Sequence, residues 1–289
     1  MNYIIHLLIY LDIYLIVAMS LNLLMGYGGL LQVAHAAYYG IGAYVTALVM
    51  LKLGLGFVPA VFSAMVITGL LSLLVSLPAW RFKGDFFVMV SLAVQSLVYT
   101  TLYNWTGLTN GPFGITGIPR PEILGFKFDS LYGIFGLATV MALLCVLTMA
   151  LLLGSPWGRL LKAMRDDELA ARSLGKNTRL VKLQTFMFAC AFVAVAGGLY
   201  ATYISYIDPT SFTLDESILM LSMIIVGGTG NIRGPLVGAA VLIAIPEILR
   251  FVYIPDAVAA NVRLMIYGLM ILAMVHLRPQ GIAGTYRFK

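Results

Sequence analysis

Nine apolar runs separated by short polar breaks fill most of this chain: about Tyr3 to Met25, Val33 to Leu53, Val58 to Trp80, Phe86 to Tyr103, Leu131 to Leu153, Gln184 to Ile207, Ser217 to Val226, Leu236 to Tyr253 and Val262 to Leu277. A helix of about 20 apolar residues spans the hydrocarbon core of a bilayer. It also satisfies its own backbone there, where no water can. The runs therefore predict an all-α, polytopic membrane protein with about 8–10 transmembrane helices. The best count is nine, with the seventh run, short and ending in glycine, either spanning or re-entrant. Residues 1–289 read as one transmembrane domain.

Hydrophobic residues make up 61% of the chain and charged residues 10%, against about a quarter charged in a soluble domain. The net charge of +6 sits in short loops beside the apolar runs, so it reads as a topology signal and excludes a nucleic-acid partner. Alternating the runs across the bilayer gathers Arg81 and Lys83, the segment at about 154–184, Arg233, and the tail with Arg278, Arg287 and Lys289 on one side. The other side receives Lys52, the 104–130 loop with Arg120 and Lys127, the acidic Asp208 to Glu216 loop, and Asp256. The positive-inside rule then predicts the N-terminus out and the C-terminus in. No Lys or Arg precedes Lys52, so the first run is expected to be a retained span and not a cleaved signal. Cys145 and Cys190 both fall in apolar runs and are expected to be packing residues.

One polar island interrupts the pattern. GSPWGRLLKAMRDDELAARSLGKNTRLVKLQT, at about 154–184, carries Arg159, Lys162, Arg165, Arg172, Lys176, Arg179 and Lys182. Ser155 is a plausible N-cap with Pro156 at the first helical position. Leu160, Met164, Ala171 and Leu174 fall near one stripe at helical spacing, and Gly175 reads as a C-terminal stop. Glu168, Ala170, Ala171 and Gly175 form an E-x-A-A-x-x-x-G pattern, in which small alanines admit a partner's surface. The competing reading is an interfacial helix held on anionic lipid by its arginines.

Two glycine clusters mark the other breaks: Gly26, Gly28 and Gly29 after the first run, and Gly227, Gly228, Gly230 and Gly234 after the seventh. Paired glycine-broken segments often flank a substrate route in transporters, where a helix N-terminus suits a carboxylate. Turn chemistry and close helix packing account for them equally well. Polar residues within the runs are Asp12, Asn22, His35, Gln95, Glu247 and His276. Ionisable groups at membrane depth are costly and so become functional candidates. Asp12 has the strongest claim to depth, whereas Glu247 and His276 suit a paired or snorkelling role equally. The 104–130 loop, rich in Gly and Pro, is expected to be a connector. No phosphate-binding GxxxxGK[ST] loop, HExxH or GxSxG occurs, so neither an ATPase nor a hydrolase is expected in this chain.

In order along the chain, MSLNLLMGYGGLLQVAHAAYYGIGAYVTALV, GRLLKAMRDDELAARSLGKNTRLVKLQTF and AGGLYATYISYIDPTSFTLDESILMLSMIIVGGTGNIRGPLVGAAVLIAIPEILR, with the outer segment TNGPFGITGIP, resemble the membrane subunits of bacterial ABC importers for branched-chain amino acids. The likeness, from about Ser20 to Gly281, is closer to the LivM-like than to the LivH-like subunit. It implies a permease domain in the bacterial cytoplasmic (inner) membrane, embedded in the lipid bilayer. The implied partners are a second LivH-like permease, two ABC ATPase subunits that bind ATP and Mg, and an extracytoplasmic substrate-binding protein. No cofactor or metal is expected in the chain itself. By the same resemblance, Glu168, Ala170, Ala171 and Gly175 match the loop by which such permeases engage their ATPases. Gly28, Gly29, His35, Gly227, Gly228 and Gly230 match recurrent family motifs and, with Asp12 and Asn22, are the candidate pathway residues. A permease for urea or short amides in the same family, and an ion-coupled secondary transporter relaying cations through Asp12 or His35, remain the alternatives. An integral membrane enzyme finds no acid–base pair to support it.

Overall fold

A computed structural model describes residues 2–77, 84–123, 125–250, 256–278 and 280–284. Each of the nine apolar runs is occupied by helix. In chain order they are α1 (Asn2–Asn22), α2 (His35–Lys52), α3 (Phe57–Leu71) with the short α4 (Leu73–Ser76), α5 (Asp85–Asn104), α7 (Leu131–Gly154), α10 (Thr178–Ile204), α11 (Leu214–Gly227), α12 (Arg233–Arg250) and α13 (Asp256–Leu277). Between them lie α6 (Thr106–Thr109) in the 104–130 loop and α8 (Pro156–Asp166) and α9 (Glu168–Ser173) in the island. Among the described residues, five stretches are long and apolar enough to cross a membrane: Asn2–Tyr27, Asp85–Asn104, Leu131–Gly154, Thr178–Ile204 and Pro209–Gly227. The chain is an all-α polytopic membrane protein. Arg81, Lys83, Arg287 and Lys289, used above to assign sides, lie outside the described residues.

The core is built on α1, α2, α10 and α11. Helix α10 packs on α2 and α3, and α1 packs on α7, α10, α11 and α12. Lipid tails are as apolar as leucine, so close backbone approach and dispersion must do what burial does in water. The sequence supplies small residues where α2 crosses α10. A Cβ at Gly42 would overlap the backbone of Ala194, and one at Gly197 would overlap the Tyr39 carbonyl and the Ala43 amide.

The 104–130 loop is more ordered than a simple connector. Its strand β1 (Ile115–Thr116) pairs antiparallel with β4 (Tyr206–Ile207), and β2 (Glu122–Ile123) pairs with β3 (Phe126–Lys127). This places the loop and the α10–α11 connection at one end of the molecule, the outer end by the side to which the charge pattern assigns it. The island and both glycine clusters gather at the opposite, inner end.

Two segments leave α-helical form inside the fold, the second of them with a 3-10 turn at Pro209–Phe212. Residues 28–34 enter from the inner end before α2 begins at His35, and residues 208–213 dip from the outer end before α11 begins at Leu214. Helix α11 therefore starts deep. Its Glu216 meets Tyr14 of α1, about 18 Å along α1 from Asn2 at 1.5 Å per residue. Non-helical backbone at such depth survives only where protein satisfies it. Gln95 of α5 does so for the second dip and for the first turn of α2, which follows the first dip. Its Oε1 accepts from the Ala37 amide at 2.9 Å and from Ser217 Oγ at 3.3 Å, while its Nε2 donates to the Phe212 carbonyl at 2.8 Å. Ser217 Oγ accepts from the Ala36 amide at 3.0 Å. Phe212 is seated in a ring of Tyr39, Tyr44 and Tyr200, at centroid distances of 5.4, 6.0 and 6.1 Å.

Candidate functional site

At the inner end α1 widens into a π-helical turn, Leu23–Tyr27. Such turns leave carbonyls splayed from the helix and recur at functional sites. Here the Gly26 carbonyl accepts from Arg165 Nη1 of the island at 2.6 Å. Lys162 Nζ lies 5.3 Å from the Tyr27 ring centroid, within cation–π range. Gly29, at φ +65°, passes so close that a Cβ there would lie 2.9 Å from Arg165 Cγ. The first glycine cluster is thus the seat of the island's α8.

The second cluster closes on the same turn. Asn22 Nδ2 donates to the Asn231 carbonyl at 2.8 Å, and Asn22 Oδ1 accepts from the Gly230 amide at 3.2 Å. A Cβ on Gly26 would collide with the Asn22 side chain. Asn231 Oδ1 accepts from the Gly234 amide at 2.6 Å, and Asn231 Nδ2 donates to the Ala283 carbonyl. The Ile282 and Ala283 amides reach the carbonyls of Val226 and Gly227, both at 2.9 Å. Gly228, at φ +104°, leaves no room for a side chain against Gly284. Island, α1, α11, α12 and the segment 280–284 therefore meet in one knot.

The island's helices follow from its capping residues. Ser155 Oγ accepts from the Gly158 amide, with Pro156 behind it. Asp167 ends α8 and caps α9, its Oδ1 accepting from the Leu169 and Ala170 amides at 2.9 and 3.0 Å. Of the one or two short helices that the island's sequence admits, the structure forms two. The glycine stop is where it was expected: Gly175 has φ +74°, and the Gly175 and Lys176 amides bond back to Arg172 and Ala171. Glu168 turns inward, 3.0 Å from Lys182 Nζ and 2.7 Å from Arg172 Nη2, with Thr178 donating to it at 3.2 Å. Lys182 is 8% exposed, so this ion pair anchors α9 to the start of α10. Ala171 is buried. The expected stripe does not hold at Leu174, which is 78% exposed; it shares the outer surface of the island with Ala170 and with Leu169 at 70%.

His35, Asp12 and Glu216 occupy three different settings. His35 is fully buried, with Nε2 2.8 Å from Ser20 Oγ and Nδ1 3.0 Å from Gln32 Nε2. Ser20 donates to the Val17 carbonyl, which leaves its oxygen free to accept from a ring proton on Nε2. Asp12 points from α1 towards α7, where Thr139 Oγ1 donates to its Oδ2 at 2.7 Å. Neither lines the cavity of about 410 Å³ that opens between α1, α11, α12 and α13. That cavity is lined by Tyr10 and Tyr14, by Glu216 and Glu247, and by Leu219 and Leu242 among other residues. Tyr14 donates to Glu216 Oε1 at 2.6 Å.

Comparison with known proteins decides what this assembly belongs to. The family described as the branched-chain amino acid transport system / permease component matches residues 3–275. The chain belongs to this family. The high-affinity branched-chain amino acid transport system permease protein LivM of Escherichia coli is 33% identical over 95% of this chain and 68% of its own length. The probable LivM of Methanocaldococcus jannaschii is 24% identical over 95% of this chain and 91% of its own. The LivH of Escherichia coli is 27% identical over 94% and 91%. No solved structure matches.

Within this permease family member, the structure brings Asn22, Gly28, Gly29, Gly227, Gly228 and Gly230 together in the inner knot. Asp12 and His35 stand apart from it. Sequence reading overlooked Glu216, grouping it with the outer acidic loop because Asp215 precedes it and the seventh run seemed to begin at Ser217. It placed Gln95 in a span without a task. A carboxylate directly before the apolar run that opens Ser217–Ile218–Leu219–Met220 was the available signal for the first, and a lone amide in an apolar run for the second.

Proposed function

We propose that the chain is a membrane-spanning permease subunit of an ATP-driven importer for branched-chain or other neutral amino acids. It forms the pathway with a second, LivH-like permease, receives substrate from an extracytoplasmic binding protein, and couples to two ATPase subunits through the 154–184 island. ATP and Mg are handled by those partners. The observation that carries this reading is the two-faced island. One face holds the spans through Arg165 on the Gly26 carbonyl and Glu168 on Lys182; the other offers Leu169, Ala170 and Leu174 to solvent. A lever needs both a rigid hold on the load and a free face for the driver.

Motion of the ATPases moves α9, whose ion pair carries α10, while Arg165 carries the end of α1 and, through Asn22, the α11–α12 turn. Those helices border the cavity, so the device can bias it between two states. Asp12 and His35, outside the cavity, give no support to a cation relay.

The test is affinity purification of the tagged chain from native membranes in mild detergent, beside Leu174→Asp and Ala171→Trp. Wild type is expected to bring two ATPases and a second permease. Leu174→Asp spoils the exposed face and Ala171→Trp lifts α9 off its bed, so both are expected to lose the ATPases and keep the permease. A wild-type chain that purifies alone overturns the reading.

A further inference from the structure

We infer that the cavity between α1, α11, α12 and α13 is a binding site for the ammonium group of an aliphatic substrate, with Glu216 as its counter-ion and the Tyr10 and Tyr14 rings as its walls. The inference rests on the amino acid permease reading above and adds what the protein recognises and with which atoms.

Glu216 lies in the first turn of α11, which begins deep in the fold, and it lines the cavity. Its one hydrogen-bond donor is the neutral Tyr14 hydroxyl, and among the described residues no Lys, Arg or His pairs with it. A carboxylate at membrane depth is ordinarily compensated by a positive partner. Here the neighbouring surface is the right one for a cation that arrives from outside. Tyr10 and Tyr14, both in the lining, stack at a centroid distance of 6.5 Å and 23° between planes, and aromatic rings attract ammonium groups. Glu247 adds a second carboxylate to the lining.

Leu7, Leu219, Met223, Leu242 and Ile243 give the cavity an apolar wall, while His6, which also lines it, is engaged through Nδ1 with the Tyr203 hydroxyl. Its volume of about 410 Å³ lies in the range of about 300–1,000 Å³ typical of small-ligand sites. One end that favours a positive charge and one that favours hydrocarbon together select an amphipathic aliphatic ammonium. A carboxylate presented alone meets Glu216 and Glu247 and is repelled.

The experiment uses the purified transporter complex in detergent and reads ligand binding by titration calorimetry and by thermal stabilisation. The probes are 3-methylbutylamine, which has the ammonium and the branched chain without a carboxylate, and 4-methylpentanoate, which has the reverse. The amine is expected to bind and to raise Tm, the acid to do neither. Glu216→Gln is expected to weaken amine binding at least tenfold. Tyr10→Leu, which removes the ring, is expected to weaken amine binding several-fold, which keeps the test decisive should Glu216→Gln fail to fold. Absence of amine binding in wild type overturns the inference, as does equal binding of acid and amine, or of amine by wild type and Glu216→Gln. Leucine uptake by proteoliposomes holding the wild-type complex is scored separately. Its failure speaks against the permease reading, while amine binding reports on the cavity alone.

Discussion

At the scale of single residues, the polar groups inside this protein divide into those that satisfy backbone and those that face the cavity. Gln95 is the clearest of the first kind. Gln95→Leu strands the Ala37 amide and the Phe212 carbonyl, each costing about 1–3 kcal/mol when left unpaired. A matching drop in stability is expected in denaturant unfolding of the detergent-solubilised protein. Asp12 makes the opposite prediction. Asn retains the acceptor that Thr139 uses and the residue lies outside the cavity, so Asp12→Asn is expected to import at close to the wild-type rate in a radiolabelled-leucine assay. A loss of uptake would return Asp12 to the route.

At the scale of elements, the island is the part most open to dissection, because its two faces do different things. Arg165→Ala removes the bond to the Gly26 carbonyl while leaving Leu169, Ala170 and Leu174 untouched. The ATPases are expected to assemble normally, with ATP hydrolysis retained and uptake falling about tenfold, within the range of about 5–150-fold typical of a coupling free energy between sites. Parallel ATPase and uptake measurements on one preparation decide it. The sequence announced this element plainly. Seven basic residues, a Ser–Pro start and a glycine stop bounded it closely. What it concealed was the inward turn of Glu168 and the break at Asp167, because capping and ion pairing depend on where α10 begins. Helix α10 begins at Thr178, ahead of Gln184 where the apolar run was read to start, and so brings Lys182 beneath α9.

At the scale of the whole molecule, the helices that fill the apolar runs among the described residues were legible from run length, and the division of the loops into two ends from where the charges fall. The internal dips were not, since residues 28–34 read as a glycine break running into an apolar stretch and residues 208–213 as an ordinary turn, and only tertiary partners place them at depth. The two-ended arrangement can be read directly. Cys145 and Cys190 are buried, so the chain has little background towards a membrane-impermeant maleimide. Phe113→Cys, at a position 77% exposed in the outer loop, is expected to label in intact cells. Leu174→Cys is expected to label only after the membrane is opened. The reverse pattern would invert the topology.

The amide of Gln95 is planar, and the separation of its oxygen and nitrogen is fixed by covalent geometry. One atom holds the first turn of α2, at Ala37, which follows the segment that enters from the inner end, and the other holds the segment that enters from the outer end, at Phe212. Neither bond can lengthen by tilting that plane without moving the other. The two halves of the fold are thereby joined by an interlock one side chain wide, in which a displacement at either mouth is felt at both.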